Sequence, residues 1–294
     1  EPNDSVLAAQ PLPASGWMQG DIGAAADSDF YSIALSVGDT IFASLDLDPT
    51  RDGTEFDGTL AFGPFSGTFL QANDPGGATG PHSRALFATV KSAGTYAIAI
   101  GSAGGTGDYH LSVSVHPAAP APALCTTYTN ANDLAIPAGP GVVTSSLMVP
   151  GNPRVGDLNV SVTLNHTSPV DLDVILQAPN TSQVGLFTDV ATGSFHGIDV
   201  VLDDEAAIPI SFVAAPTGQV LQPEADHRLD WFDGESAGGI WTLRIADDTA
   251  NNGGTLDSWG ITVCEPTVPP ACAGGLAPLV PLQQDFEAND GAFT

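Results

Sequence analysis

The 294-residue chain carries 34 Asp and Glu against 6 Lys and Arg, a formal net charge of −28 with a pI of about 4.1. A field of that sign repels phosphate backbones and anionic lipid surfaces, which excludes nucleic-acid binding. Because 43% of the residues are hydrophobic and mean hydropathy is +0.12, there is material for packed cores, and the acidity belongs to the surface, where it serves solvation or the binding of hard cations such as calcium.

The length predicts two domains, and 33 Gly with 24 Pro interrupt the chain too often for long helices. No apolar run reaches the ~20 residues needed to span a bilayer, so no membrane insertion is expected. The chain opens on Glu1 without a charged segment leading into an apolar one, the pattern of a processed or excised segment of an exported protein.

From the N-terminus, short apolar or alternating runs recur at Phe30–Leu35, Thr40–Leu47, Leu60–Phe62, Arg84–Val90, Thr95–Ile100 and Tyr109–Val115, separated by Gly, Pro and Asp turns. Such spacing predicts a β-sandwich over residues 1–116. Several short segments in this half form an ordered set: Glu1-Pro2-Asn3-Asp4-Ser5, Gly20-Asp21-Ile22, Asp27-Ser28-Asp29-Phe30-Tyr31, Val37-Gly38-Asp39-Thr40, Ala93-Gly94-Thr95-Tyr96 and Gly107-Asp108-Tyr109. In order and spacing the set resembles the bacterial pre-peptidase C-terminal domain, a sandwich appended to secreted proteases and surface proteins. Some relatives hold calcium near the start of the domain, so the resemblance implies Glu1, Asn3, Asp27 and Asp29 as calcium ligands. Asp27 and Asp29 also read plainly as turn residues before a strand.

Residues 117–124 form a Pro/Ala linker, expected to be extended and stiff. Beyond it, residues 125–264 read as a second sandwich opened by Cys125 and closed by Cys264. A disulfide between these two would staple the first and last strands of that domain in an oxidising compartment. Cys272 is left free or paired elsewhere, and no Cys-x-x-Cys or ligand-spaced His supports a zinc site.

The stretch from Trp231 to Trp259 sets the question of catalysis. Gly234-Glu235-Ser236-Ala237-Gly238 fits G-x-S-x-G, a nucleophile elbow that requires a helix immediately after it. Instead Ile240-Trp241-Thr242-Leu243-Arg244-Ile245 alternates as a strand does, and after it come an Asp/Asn/Gly-rich turn and a second apolar run from Leu256 to Val263. That pattern predicts a β-hairpin and makes Ser236 a loop serine, its flanking glycines serving the turn. The six histidines fit no H-E-x-x-H arrangement.

Across 125–264, Asn165-His166-Thr167, Asp171-Leu172-Asp173-Val174, Ala178-Pro179-Asn180-Thr181, Leu202-Asp203-Asp204-Glu205, Phe232-Asp233-Gly234 through Ile240-Trp241-Thr242-Leu243, and Gly254-Thr255-Leu256-Asp257-Ser258-Trp259 resemble the P domain, the jelly-roll-like sandwich that follows the catalytic domain of proprotein convertases and many bacterial secreted proteases. The resemblance implies an ordinary loop at Ser236 and a structural hydrogen bond for His166. If the Asp171 strand end meets the Asp203 loop, then Asp171, Asp173, Asp203, Asp204 and Glu205 form a calcium site, as in calcium-containing P domains. A solvated acidic loop is the alternative. The Asp247–Asp257 turn lacks the order of an EF-hand loop.

Residues 265–294 read as a linker and the first strand of a further or partner domain. The fold expected is therefore all-β: two consecutive jelly-roll-like sandwiches with almost no helix. The function expected is a non-catalytic extracellular module pair, binding or stabilising, such as the accessory region of a secreted protease. Its partners are then other domains of the same secreted protein, or neighbouring copies of itself. Two alternatives stand beside it: a structural subunit of a surface assembly that exchanges its C-terminal strand, and a serine hydrolase at Ser236.

Overall fold

The computed structural model describes residues 3–51, 53, 56–67, 69–73, 83–118, 124–191, 195–224 and 227–266. Glu1, most of the Pro/Ala linker, Cys272 and the expected C-terminal strand lie outside them. The protein is all-β, and among the described residues helix is confined to four single 3-10 turns. None is long and apolar enough to cross a membrane.

Nine strands precede the linker. Strands β1 (Gln10–Pro11), β2 (Trp17–Ile22), β3 (Ser28–Leu35), β4 (Thr40–Asp46), β5 (Asp57–Pro64), β6 (Gln71–Asn73), β7 (Ser83–Thr89), β8 (Gly94–Gly104) and β9 (Gly107–His116) form two sheets, ordered β1-β3-β8-β5-β6 and β2-β9-β4-β7. Alternation fixes which face of each strand is dry. In β4, Ile41, Ala43 and Leu45 are buried while Thr40, Phe42, Ser44 and Asp46 turn outward. Ile41, Leu45 and Leu111 from one sheet join Tyr31, Phe62, Ile98 and Ile100 from the other in a single core.

Ten more strands come after the linker: β10 (Cys125–Asn130), β11 (Leu134–Ile136), β12 (Gly141–Val149), β13 (Asp157–His166), β14 (Leu172–Gln177), β15 (Gln183–Thr188), β16 (Gly197–Leu202), β17 (Thr217–Leu221), β18 (Gly239–Asp247) and β19 (Gly254–Cys264). One sheet runs β10-β19-β13-β16-β17, with β11 also on β19, and the other β12-β18-β14-β15. Their inner faces share a second core that includes Val162, Leu164, Val174, Leu243, Ile245 and Ile261. Cys125 pairs with Cys264 across β10 and β19 and the two are disulfide-bonded.

The expected hairpin is corrected. Strand β18 pairs with β12 and β14, whereas β19 pairs with β10, β11 and β13, so the turn between them crosses from one sheet to the other. Both strands carry an inward tryptophan, Trp241 and Trp259, each 1% exposed. The two side chains fill the core from opposite walls, which a hairpin within one sheet does not achieve.

Candidate functional site

At the start of β3, alternation turns Asp29 inward on the same side as Tyr31. Asp29 is fully buried; its Oδ2 accepts the Tyr109 hydroxyl at 2.5 Å, and Tyr109 meets the Tyr31 hydroxyl at 2.7 Å. Burial, then the bond to Asp29, pushes the Tyr109 hydroxyl far above its ordinary pKa, so it stays a neutral donor. Gly20 permits the arrangement, since a Cβ there would stand 2.2 Å from the Tyr109 oxygen. The other Asp29 oxygen, Oδ1, has no hydrogen-bond partner.

Asn3 is held beside this strand by the Phe30 N–H, which donates to its carbonyl at 3.0 Å. Its side chain is 1% exposed, and neither its Oδ1 nor its Nδ2 has a hydrogen-bond partner. A buried polar group left unpaired costs about 1–3 kcal/mol. The free oxygens of Asn3 and Asp29 are hard donors of the kind that coordinate Ca2+. Asp27 takes the turn role, its Oδ2 accepting the Gly23 N–H at 2.8 Å. Burial, followed by Asp108 and Asp27, raises the pKa of nearby Asp21, a sign of uncompensated negative charge.

The second sandwich separates its expected calcium ligands. Asp171 sits in a 3-10 turn, Pro169–Asp171, rather than on a strand, and Asp173 lies on β14. Asp171 Oδ2 accepts from Asn252 at 2.7 Å, and its carbonyl accepts the Asp248 N–H, placing it at the His166 end of β13. Asp203, Asp204 and Glu205 follow β16 at the Asp157 end, where Asp204 Oδ2 accepts the Asp230 N–H at 2.9 Å. The ten residues of β13 span about 30 Å, so the strand end and the loop do not meet. The reason is direction: Leu202 pairs with Val160, which carries the loop away from His166.

The two ends handle their charge differently. At the first, His166 and Asp247 have fully buried side chains and meet at 3.2 Å, and Asp247 also accepts the N–H groups of Gly139 and Thr249. His166 therefore takes the structural role expected of it. At the second, the Glu205 carboxyl is pushed up to about 7, chiefly by a hydrogen bond to Asp203, then by burial and the Asp203 charge. Asp204 keeps one buried oxygen, Oδ1, without a partner. Among the described residues no group of three or more His, Cys, Asp or Glu side chains gathers as a metal centre.

Ser236 lies in the loop before β18. Its hydroxyl donates to Asn152 Oδ1 at 2.5 Å and accepts the Gly238 N–H at 3.2 Å, so an amide rather than an imidazole holds it. A cavity of about 670 Å³ between the sheets of the first sandwich has no carboxylate, imidazole or cation among its described lining residues. The fold also reveals an aromatic face that alternation alone left unassigned. Trp17 and Phe42 are exposed on the outer side of the β2-β9-β4-β7 sheet, Trp17 edge-on to His110 and Phe42 to Phe87.

Residues 155–263 match the family model of the proprotein convertase P-domain. The P-domain stretch thus begins just before β13 and ends one residue short of Cys264, and it contains Ser236, His166 and both acidic ends. Among solved structures, the chain is similar to the serine protease of Aeromonas sobria, at 16% identity and a TM-score of 0.28 over 50% of this chain and 28% of that one. It is similar also to a β-porphyranase of glycoside hydrolase family 86 from Bacteroides plebeius, at 12% identity and a TM-score of 0.30 over 82% and 37%. The chain thus spans less than a third of the length of the Aeromonas protease. No curated protein sequence matches.

Proposed function

We propose that this chain is a non-catalytic module pair of a larger extracellular protein, binding or stabilising in role, in which calcium held through Asn3 and Asp29 stiffens the first sandwich. The P-domain match supports the accessory role, as does the resemblance of the first half to the pre-peptidase C-terminal domain. The observation that carries the calcium reading is the pair of buried side chains, Asn3 and Asp29, each with one oxygen, Oδ1, that has no hydrogen-bond partner. Water satisfies such atoms as well, so the two occupants must be told apart by measurement.

Calorimetric melting of the chain with calcium and with chelator does so. Calcium at a hundred times its Kd adds about 2.7 kcal/mol to the bound state. The shift should vanish in Asp29→Asn and survive in Asp203→Asn. A midpoint unmoved by chelation overturns the calcium reading. For the hydrolase alternative, Ser236→Ala is expected to leave any esterase background unchanged; a loss of activity would restore the serine as a nucleophile. The strand-exchange alternative depends on residues 285–294, which lie outside the described residues.

A further inference from the structure

Strand β17 closes one sheet of the second sandwich, bonded to β16 on one side only. An open edge of this kind presents unpaired backbone groups to any passing strand. The first sandwich meets it there. Val90, just past β7, forms an antiparallel bridge with Gln219, and the Lys91 N–H donates to the Gly218 carbonyl at 3.0 Å.

Side chains lock the contact. Gln219 is 0% exposed, its Oε1 accepting from Gln71 Nε2 at 3.1 Å and its Nε2 donating to the Leu70 carbonyl at 3.3 Å, both across the joint. Leu70 is buried against Gly218, whose φ of +64° and lack of a Cβ let the leucine approach: a Cβ there would stand 2.9 Å from it. Lys91, the only lysine in the chain, reaches Asp199 at 2.5 Å, and Asp199 also accepts the Thr163 hydroxyl. That ion pair is partly exposed and contributes little by itself. The buried glutamine fixes the register of the joint, since its amide finds the Gln71 side chain and the Leu70 carbonyl only when the two sandwiches are seated.

We propose that the two sandwiches work as one rigid body, the first capping the β17 edge of the second through Leu70, Gln71, Val90 and Lys91. Strand β17 is then withheld from strand addition by other chains. This goes beyond the accessory role and does not depend on calcium.

Zero-length carbodiimide crosslinking of the whole chain at high dilution tests it, read by peptide mass mapping beside backbone hydrogen exchange. The expected result is an amide between Lys91 and Asp199 within single molecules, with slow exchange over residues 217–221 and 88–91. In Gln219→Glu, a carboxylate faces the Leu70 carbonyl. Exchange in both segments should rise together by about tenfold or more and the crosslink yield should fall, while amides in β13 and β19 stay protected. If that variant does not fold, Gln71→Glu places the same repulsion on the other side of the joint. The proposal is overturned if the Lys91–Asp199 amide is missing or forms only between two molecules. It is equally overturned if the two segments exchange independently of the substitution.

Discussion

Removing the disulfide tests how the second sandwich is held closed. Cys125 and Cys264 are 139 residues apart in sequence, and their bond joins the first residue of β10 to the last of β19. In the chain-entropy account, a crosslink over a loop of that length lowers the entropy of the unfolded chain by about 5 kcal/mol at 25 °C, and native disulfides measure about 2–5 kcal/mol. The local packing makes the upper half of that range the expectation. Strand β10 is mostly exposed along its length, so it contributes little apolar burial to stay on the sheet without the bond. Against a typical domain stability of about 5–15 kcal/mol, the loss is a large fraction. Urea unfolding of the Cys125→Ser/Cys264→Ser double variant, followed by fluorescence of the buried Trp241 and Trp259, should show a lower midpoint and a steeper slope, because the unlinked chain exposes more surface. Amide exchange in β10 should speed up before that in β13. A loss below about 1 kcal/mol, or β10 exchange unchanged, would refute the reasoning.

Two further substitutions probe how buried and clustered carboxylates are tolerated. Asp247→Ala strips the acceptor from the Thr249 N–H, removes one of the two acceptors of the Gly139 N–H, and leaves His166 Nε2 without its partner; thermal melting should show a loss of about 3–5 kcal/mol, and a loss under 1 kcal/mol would mean that water replaces the carboxylate. Glu205→Gln should act through pH. With the Glu205 carboxyl raised from 4.5 to about 7 in the fold, the native state holds a proton that the unfolded chain has released, so the wild type loses stability as pH rises through that window. The variant escapes that loss and should match the wild type below pH ~4.5 while gaining on it towards pH ~7. Because Glu205 is largely exposed, solvent screening keeps the gain under about 1 kcal/mol. Melting curves at pH 4 and pH 8 measure it, and an equal difference at both would sink the account of a raised Glu205 pKa.

The strands themselves were legible because alternation is a local signal: Ile41, Ala43 and Leu45, or Trp241, Leu243 and Ile245, announce both the strand and its dry face. Which sheet a strand joins is not local. A hairpin and an arch between sheets share the same strand-turn-strand pattern, and only the pairing of β18 with β12 and β14 separates them. The acidic loops failed for the same reason. Asp171 and Asp203 were identifiable as clustered charge, but their ends of β13 depend on the direction of β16. Ser236 was placed correctly because the residues after it exclude a helix. Gln219 gave no signal at all, since an uncharged polar residue in a strand reads as outward until a second sandwich covers it.

The charge imbalance narrows where a cation belongs. Of the six Lys and Arg, Arg51, Arg84 and Lys91 pair with Asp46, Asp57 and Asp199, so most of the 34 carboxylates must be tolerated by other means. Each cluster shows its own solution. Asp247 is surrounded by N–H donors and an imidazole, which replace the hydration it gives up. The Glu205 carboxyl, raised in pKa chiefly by its hydrogen bond to Asp203, is biased towards its neutral form. Asp230 stands in solvent, and Asp204, one of whose oxygens accepts the Asp230 N–H, is only half-buried. At Asn3 and Asp29, complete burial coincides with one oxygen on each, Asn3 Oδ1 and Asp29 Oδ1, that has no hydrogen-bond partner in the described structure. On the reading proposed above, calcium should change the melting temperature through Asn3 and Asp29 of the first sandwich rather than through the more acidic loops of the second.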